Sequence, residues 1–182
     1  MHALFKYYVI LSLLLANLQL SHAAELKFKT FNTKDGLNNS TVYDIYKDSN
    51  GLIWVGTARG VSLFTGNDFI PLDHFVSDST YNTFTTANVI NELKNNEIWV
   101  GTWGAGIYVV NIVTGNYKHY YTNPKDPTES VSNNYINCLY KNQSDELWIG
   151  TAYGLNVTTG DGHFEQFLFE ETLTKGLPDI QA

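Results

Sequence analysis

Apolar and polar positions alternate in short runs along most of this chain, and the runs recur. Leu52 to Thr57 reads L-I-W-V-G-T, Glu97 to Thr102 reads E-I-W-V-G-T, and Glu146 to Thr151 reads E-L-W-I-G-T. Trp54 and Trp99 are 45 residues apart, and Trp99 and Trp148 are 49 apart. Each copy is preceded by two apolar residues three apart: Val42 and Ile45, Ile90 and Leu93, Ile136 and Leu139. A polar turn separates pair and tryptophan: Asp48 to Gly51, Asn95-Asn96, and Asn142 to Asp145, with the middle copy three residues shorter. After each Gly-Thr comes a glycine turn and an apolar run: Gly60 to Phe64, Gly106 to Val110, Gly154 to Val157. An aromatic strand closes each unit at Phe69 to Leu72, Tyr117 to Tyr121 and Phe164 to Phe167.

Period-two runs of about five residues between turn signals predict strands. Four strands, A to D, repeated at a near-constant interval predict an antiparallel meander, the blade of a β-propeller. The expected fold is all-β: a partial propeller of three four-stranded blades at approximately 36–72, 86–121 and 130–168. An outer strand at Leu26 to Phe31 precedes them, and a fourth repeat begins near 176, at Gly176-Leu177-Pro178-Asp179-Ile180. Within W-[IV]-G-T, the Trp offers apolar area to a neighbouring blade and the Gly admits a close backbone. The Thr hydroxyl caps the following turn. The structural motif is thus Trp54, Gly56 and Thr57; Trp99, Gly101 and Thr102; and Trp148, Gly150 and Thr151.

Composition adds three constraints. The share of hydrophobic residues, 43%, against 16% charged is that of a globular chain. The net charge of −7, without a basic cluster, excludes nucleic acid as a partner. Residues 1–23 read as a signal peptide: a short n-region with Lys6, an apolar stretch from Tyr7 to Leu20, and small residues at Ser21 and Ala23 before Ala24. Residues 24–182 then form the propeller portion. Cys138 is the sole cysteine, so no internal disulfide forms, and it reads as a packing residue.

The stretch from Gly36 to Phe64, G-L-N-N-S-T-V-Y-D-I-Y-K-D-S-N-G-L-I-W-V-G-T-A-R-G-V-S-L-F, resembles the two-component regulator propeller repeats. Asn123 to Tyr140 is similar to that family's inter-blade linker. The resemblance implies a periplasmic sensor propeller. A membrane helix and a histidine kinase or diguanylate cyclase follow in such proteins; the chain itself carries no enzyme. It would be an N-terminal fragment of such a protein, with the remaining blades as its partners and the membrane reached only through the missing C-terminal part. No cofactor is implied.

A meander places the B–C and D–A turns on one face. There the sequence offers Arg59, Trp103 and Tyr153 at matching B–C positions, and Asn38, Asn39, Asn133 and Asn134 in D–A turns. Aromatics beside amides and a guanidinium suit a carbohydrate or another small polar ligand. These residues equally serve as ordinary turn formers. Asp48 to Gly51 begins like a calcium loop but lacks the later acidic ligands. His74, His119 and His163 have no metal-ligand spacing, so no metal site is expected. Gly101 to Gly106 lacks a P-loop lysine and a following helix. The inner strands carry Asp44, Glu92 and Cys138 at corresponding positions, too few carboxylates for a hydrolase. Two other readings remain: a structural or protein-interaction propeller without a small ligand, and a propeller hydrolase or lyase.

Overall fold

In a computed structural model, residue 7, residues 26–77 and residues 85–167 are described. Apart from residue 7, the signal-peptide stretch lies outside these described residues, as does the opening of a fourth repeat. The chain divides into two units, Met1–Thr30 and Phe31–Ala182. In the first, Leu26 to Thr30 form no strand, and Leu26 and Phe28 are exposed. The outer strand expected at Leu26 to Phe31 is therefore absent. An extended segment becomes a strand only when a neighbour takes up its N–H and C=O groups, and among the described residues no strand pairs with this one. Phe31, in the second unit, packs instead edge-on against Phe64 and Phe69, with ring centroids 5.0 and 5.6 Å away.

The second unit contains three four-stranded antiparallel sheets. The first is β1 (Val42–Lys47), β2 (Ile53–Thr57), β3 (Gly60–Phe64) and β4 (Phe69–Pro71), paired in chain order. The second is β5 (Ala87–Glu92), β6 (Glu97–Thr102), β7 (Ile107–Asn111) and β8 (Tyr117–Tyr120). The third is β9 (Ile136–Lys141), β10 (Leu147–Thr151), β11 (Gly154–Thr158) and β12 (Glu165–Phe167). Consecutive sheets approach along their first strands, β1 on β5 and β5 on β9, with β2 and β6 also reaching the next first strand. The sheets thus meet along their A strands, as propeller blades do.

The register revises the alignment of the middle copy. Gly56, Gly101 and Gly150 oppose Asp44, Val89 and Cys138. Val42, Ala87 and Ile136 oppose the threonines Thr57, Thr102 and Thr151. The pair in the middle blade is consequently Ala87 and Ile90, not Ile90 and Leu93. Each leading residue stands 12 positions before its tryptophan, so the middle A–B connection is not shortened. Alanine at 87 concealed this, because a small residue carries little apolar signal. In every blade the register slips by one residue at the start of the A strand, a bulge that sharpens the local twist.

Strand alternation gives each sheet two faces, and both are used. Trp54, Val61 and Leu63 of the first blade pack with Ile90, Ile98, Val100, Tyr108 and Val110 of the second. On the opposite face of the second blade, Trp99, Ile107 and Val109 pack with Ile136, Leu139, Leu147, Ile149 and Phe164 of the third. The tryptophan face of one blade always covers the other face of the next. Trp54 and Trp99 are completely buried by this stacking, each worth on the order of 3–5 kcal/mol against alanine. Trp148 is only half-buried; its ring stacks on Phe167 of its own blade at 6.3 Å, and its neighbour Tyr140 is 64% exposed.

Polar groups clamp the same junctions. Ile90 N donates to Asp44 Oδ2 at 2.7 Å, and Ser49 N donates to Glu92 Oε2 at 2.7 Å. Between the second and third blades, Asn88 Nδ2 donates to the Ile136 carbonyl at 2.9 Å and Lys141 Nζ to the Leu93 carbonyl at 2.7 Å.

Candidate functional site

The B–C turns are built on the motif threonines. Thr57, Thr102 and Thr151 donate through Oγ1 to the carbonyls of Gly60, Gly106 and Gly154, at 2.9, 2.7 and 2.9 Å. The same hydroxyls accept from Arg59 N, Ala105 N and Tyr153 N. This fixes which turn residues are equivalent. Arg59 and Tyr153 match each other, but their counterpart in the middle blade is Ala105. Trp103 instead matches Ala58 and Ala152: the three N–H groups donate to Thr86, Thr41 and Tyr135 carbonyls at the entries of the A strands. The middle turn holds one residue more between its threonine and glycine, and Trp103 and Gly104 absorb it.

The extra residue brings Trp103 into an isolated antiparallel bridge with Tyr135 of the third blade. Gly104, at φ 106°, lies under the Tyr135 ring, so a Cβ there would stand 3.6 Å from its atoms. Gly104 N and Gly106 N both donate to the Asn134 carbonyl, at 3.1 and 2.9 Å. An exposed aromatic pair results: Trp103 is 62% exposed and Tyr135 is 47% exposed, joined across a blade junction. Tyr153 and Arg59 are exposed on the corresponding turns of the flanking blades. Tyr135 was not singled out from the sequence; its partner Trp103 was the only signal that pointed to it.

The asparagines are committed to the scaffold. Asn38 Nδ2 donates to the Arg59 and Val61 carbonyls at 3.2 and 3.3 Å, tying the D–A turn to the B–C turn. Asn39 Oδ1 accepts from Thr41 N, Asn133 Oδ1 from Tyr135 N and Asn134 Oδ1 from Thr122 N, at 2.8, 2.9 and 2.7 Å. These bonds hold the turns that present Arg59, Trp103, Tyr135 and Tyr153.

The inner carboxylates also have structural roles. Glu92 is equivalent to Lys47 and Lys141, opposite Ile98, not to Asp44. Its two oxygens accept from Ser49 N and Asn96 N while it is 6% exposed. Asp44 accepts from Ile45 N and Ile90 N. Asp48 is an Asx cap: Oδ1 accepts from Asn50 N and Leu52 N, and Oδ2 from Trp54 Nε1. His119 stacks on Tyr108 at 4.1 Å, with Nε2 2.6 Å from the Ala105 carbonyl.

A family model described as "Two component regulator propeller" matches residues 36–59 and 130–153, the approaches and B strands of the first and third blades. The chain thus carries two-component regulator propeller repeats in its first and third blades. It is 32% identical over 134 residues to Histidine kinase P4 of Formosa agariphila, covering 69% of this chain and 10% of that protein. Among solved structures it is similar to the extracellular domain of the hybrid two-component system BT3049 of B. thetaiotaomicron. The TM-score is 0.66 at 27% identity, over 82% of this chain and 21% of that one. The extracellular domain of the hybrid two-component system BT4673 from the same organism follows, with TM-score 0.56 at 26% identity over 78% of this chain and 18% of that one. The chain therefore spans about a fifth of those domains, 21% and 18%, and 10% of the kinase. In those solved relatives, the matching region is extracellular domain.

Proposed function

We propose that this chain is the ligand-receiving part of an exported signal-transduction propeller, with its ligand taken up on the B–C face. The observation that carries the reading is the exposed Trp103–Tyr135 pair across a blade junction, flanked by Tyr153 and Arg59 on turns locked by internal hydrogen bonds. Aromatic faces held rigid bind sugar rings and other flat polar ligands at low entropic cost. A guanidinium adds a fixed fork of donors. Export rests on the apolar N-terminal stretch and on the extracellular location of the solved relatives.

The other proposed partner is a further blade of the same kind. Among the described residues, nothing beyond the third blade itself covers the Trp148 face. The two internal junctions show what such a face receives: the non-tryptophan face of the following blade.

The test is titration of the exported chain with soluble oligosaccharides, read by tryptophan fluorescence. Trp103→Ala should weaken binding at least tenfold, and Arg59→Ala about fivefold, roughly 1 kcal/mol. Unchanged affinity in the Trp103→Ala, Arg59→Ala double variant would remove the B–C face from the proposal and favour a propeller that acts through protein contacts.

A further inference from the structure

At the end of the second blade opposite its B–C turn, the sheet carries a cavity of about 300 Å³ that reaches the third blade at Gly160. Its walls are aromatic and amide-rich: Trp99, Tyr117 and Tyr120 with Asn111, Asn116 and Thr114. Trp99 and Tyr120 stack at 6.1 Å with their planes 14° apart. This volume lies at the lower end of small-molecule sites, about the size of one sugar ring.

Trp99 Nε1 is buried and has no acceptor. Its counterpart in the first blade, Trp54 Nε1, donates to Asp48 at 2.8 Å. The residue equivalent to Asp48 in the middle blade is Leu93, which is buried against Gly160, one of the cavity's own walls. An apolar side chain thus replaces the acceptor in the blade whose tryptophan borders the cavity. A buried donor without a partner costs free energy that an incoming oxygen recovers. The charged side chains at the rim, Glu97 and Lys118, balance in sign, which disfavours a strongly charged ligand.

We propose that this inter-blade cavity is a second binding site, for a neutral, hydroxyl-rich ligand of monosaccharide size. A small outward shift of the cavity wall lets one ligand oxygen accept from the buried Trp99 Nε1, and the Asn116 amide meets a second. The site is independent of the B–C face, lying at the other end of the strands.

The test uses the full chain labelled with nitrogen-15 and the neutral sugars glucose, galactose, N-acetylglucosamine and cellobiose, up to tens of millimolar. The four tryptophans, Trp54, Trp99, Trp103 and Trp148, give separate indole N–H resonances, assigned by single Trp→Phe variants. The expected result is a saturable shift of the Trp99 resonance with one of these sugars, weakened about tenfold by the rim substitution Asn116→Ala. Leu93→Asp, which restores the internal acceptor, should move the Trp99 resonance without sugar and abolish its response. If no sugar shifts the Trp99 resonance, the cavity is not such a site. If Trp103 shifts and Trp99 does not, the second site is overturned and the B–C face stands. If Trp99 alone responds, the reverse holds.

Discussion

Gly56 and Gly101 show why the motif glycine cannot carry a side chain. A Cβ on Gly56 would lie 2.9 Å from the Ala87 carbonyl oxygen, and one on Gly101 would lie 2.6 Å from Ile136 Cγ2. Both obstacles belong to the A strand of the next blade, and Gly101 also faces Val89 Cγ1 of its own sheet at 2.7 Å. Among the described residues, Gly150 meets only Cys138 Sγ of its own sheet, at 2.5 Å. Overpacking costs about 1–3 kcal/mol, so Gly101→Ala should destabilise the chain by that amount in urea unfolding. Gly150→Ala combined with Cys138→Ala should cost less than 1 kcal/mol on the same scale, whereas Gly101→Ala combined with Val89→Ala should keep its larger cost. Equal losses at the two sites would contradict the view that the glycine serves the junction. The tyrosines give a second prediction at this scale. Burial raises the pKa of Tyr46 above its usual value, against the opposing pull of a hydrogen bond with the Glu92 backbone, and burial likewise raises that of Tyr108. A raised folded-state value means that the stability it supplies is complete below the unfolded value of about 10 and is lost as pH climbs through the folded value. The thermal unfolding temperature should therefore fall above about pH 10, and fall less in Tyr46→Phe.

At the scale of one element, the A–B hairpin separates what the sequence shows from what it hides. Asp48 in D-S-N-G is legible as a turn residue, and three groups donate to it: Asn50 N, Leu52 N and Trp54 Nε1. Asp48→Ala should cost about 2–3 kcal/mol, since it strands a buried indole and two backbone donors; circular dichroism melts would measure it. In Asn142, the third blade keeps the Asx cap, accepting from Ser144 N and Glu146 N at 2.9 Å each. The second blade closes the same length of chain through Asn95 and Asn96, with Asn96 at φ 66°. That difference was readable only as a missing stretch of sequence, because an alanine held the place of the expected leading apolar residue. The B–C turns hid their register in a similar way. Trp103 looked like a match for Arg59 until the threonine hydrogen bonds showed an extra residue. Strand order and tryptophan spacing were legible because each depends on local alternation and turn chemistry. Which polar side chain spans a junction was not, because Asp44, Asn88 and Glu92 find their partners only after the blades stack.

Across the whole unit, stacking has a direction. Each tryptophan face is completed by the blade that follows, so the value of a tryptophan depends on what lies beyond it. Trp99 is closed in by Ile136, Leu139, Leu147 and Phe164 of the third blade. Its replacement by alanine removes a filled junction and should cost about 3–5 kcal/mol. Trp148 has the same motif context, Leu-Trp-Ile-Gly-Thr, yet keeps solvent access and leans on Phe167. Trp148→Ala should cost roughly half as much, since only part of its area leaves water on folding. The sequence alone assigns the two residues one role, and stacking separates them. Extending the chain by another blade of the same repeat should then raise the cost of Trp148→Ala to that of Trp99→Ala, while leaving Trp99→Ala unchanged, because distant junctions contribute additively. Denaturant melts of both variants, with and without the added blade, measure the four values. A Trp148→Ala cost that stays low beside an added blade would mean that this face is not a blade-docking face.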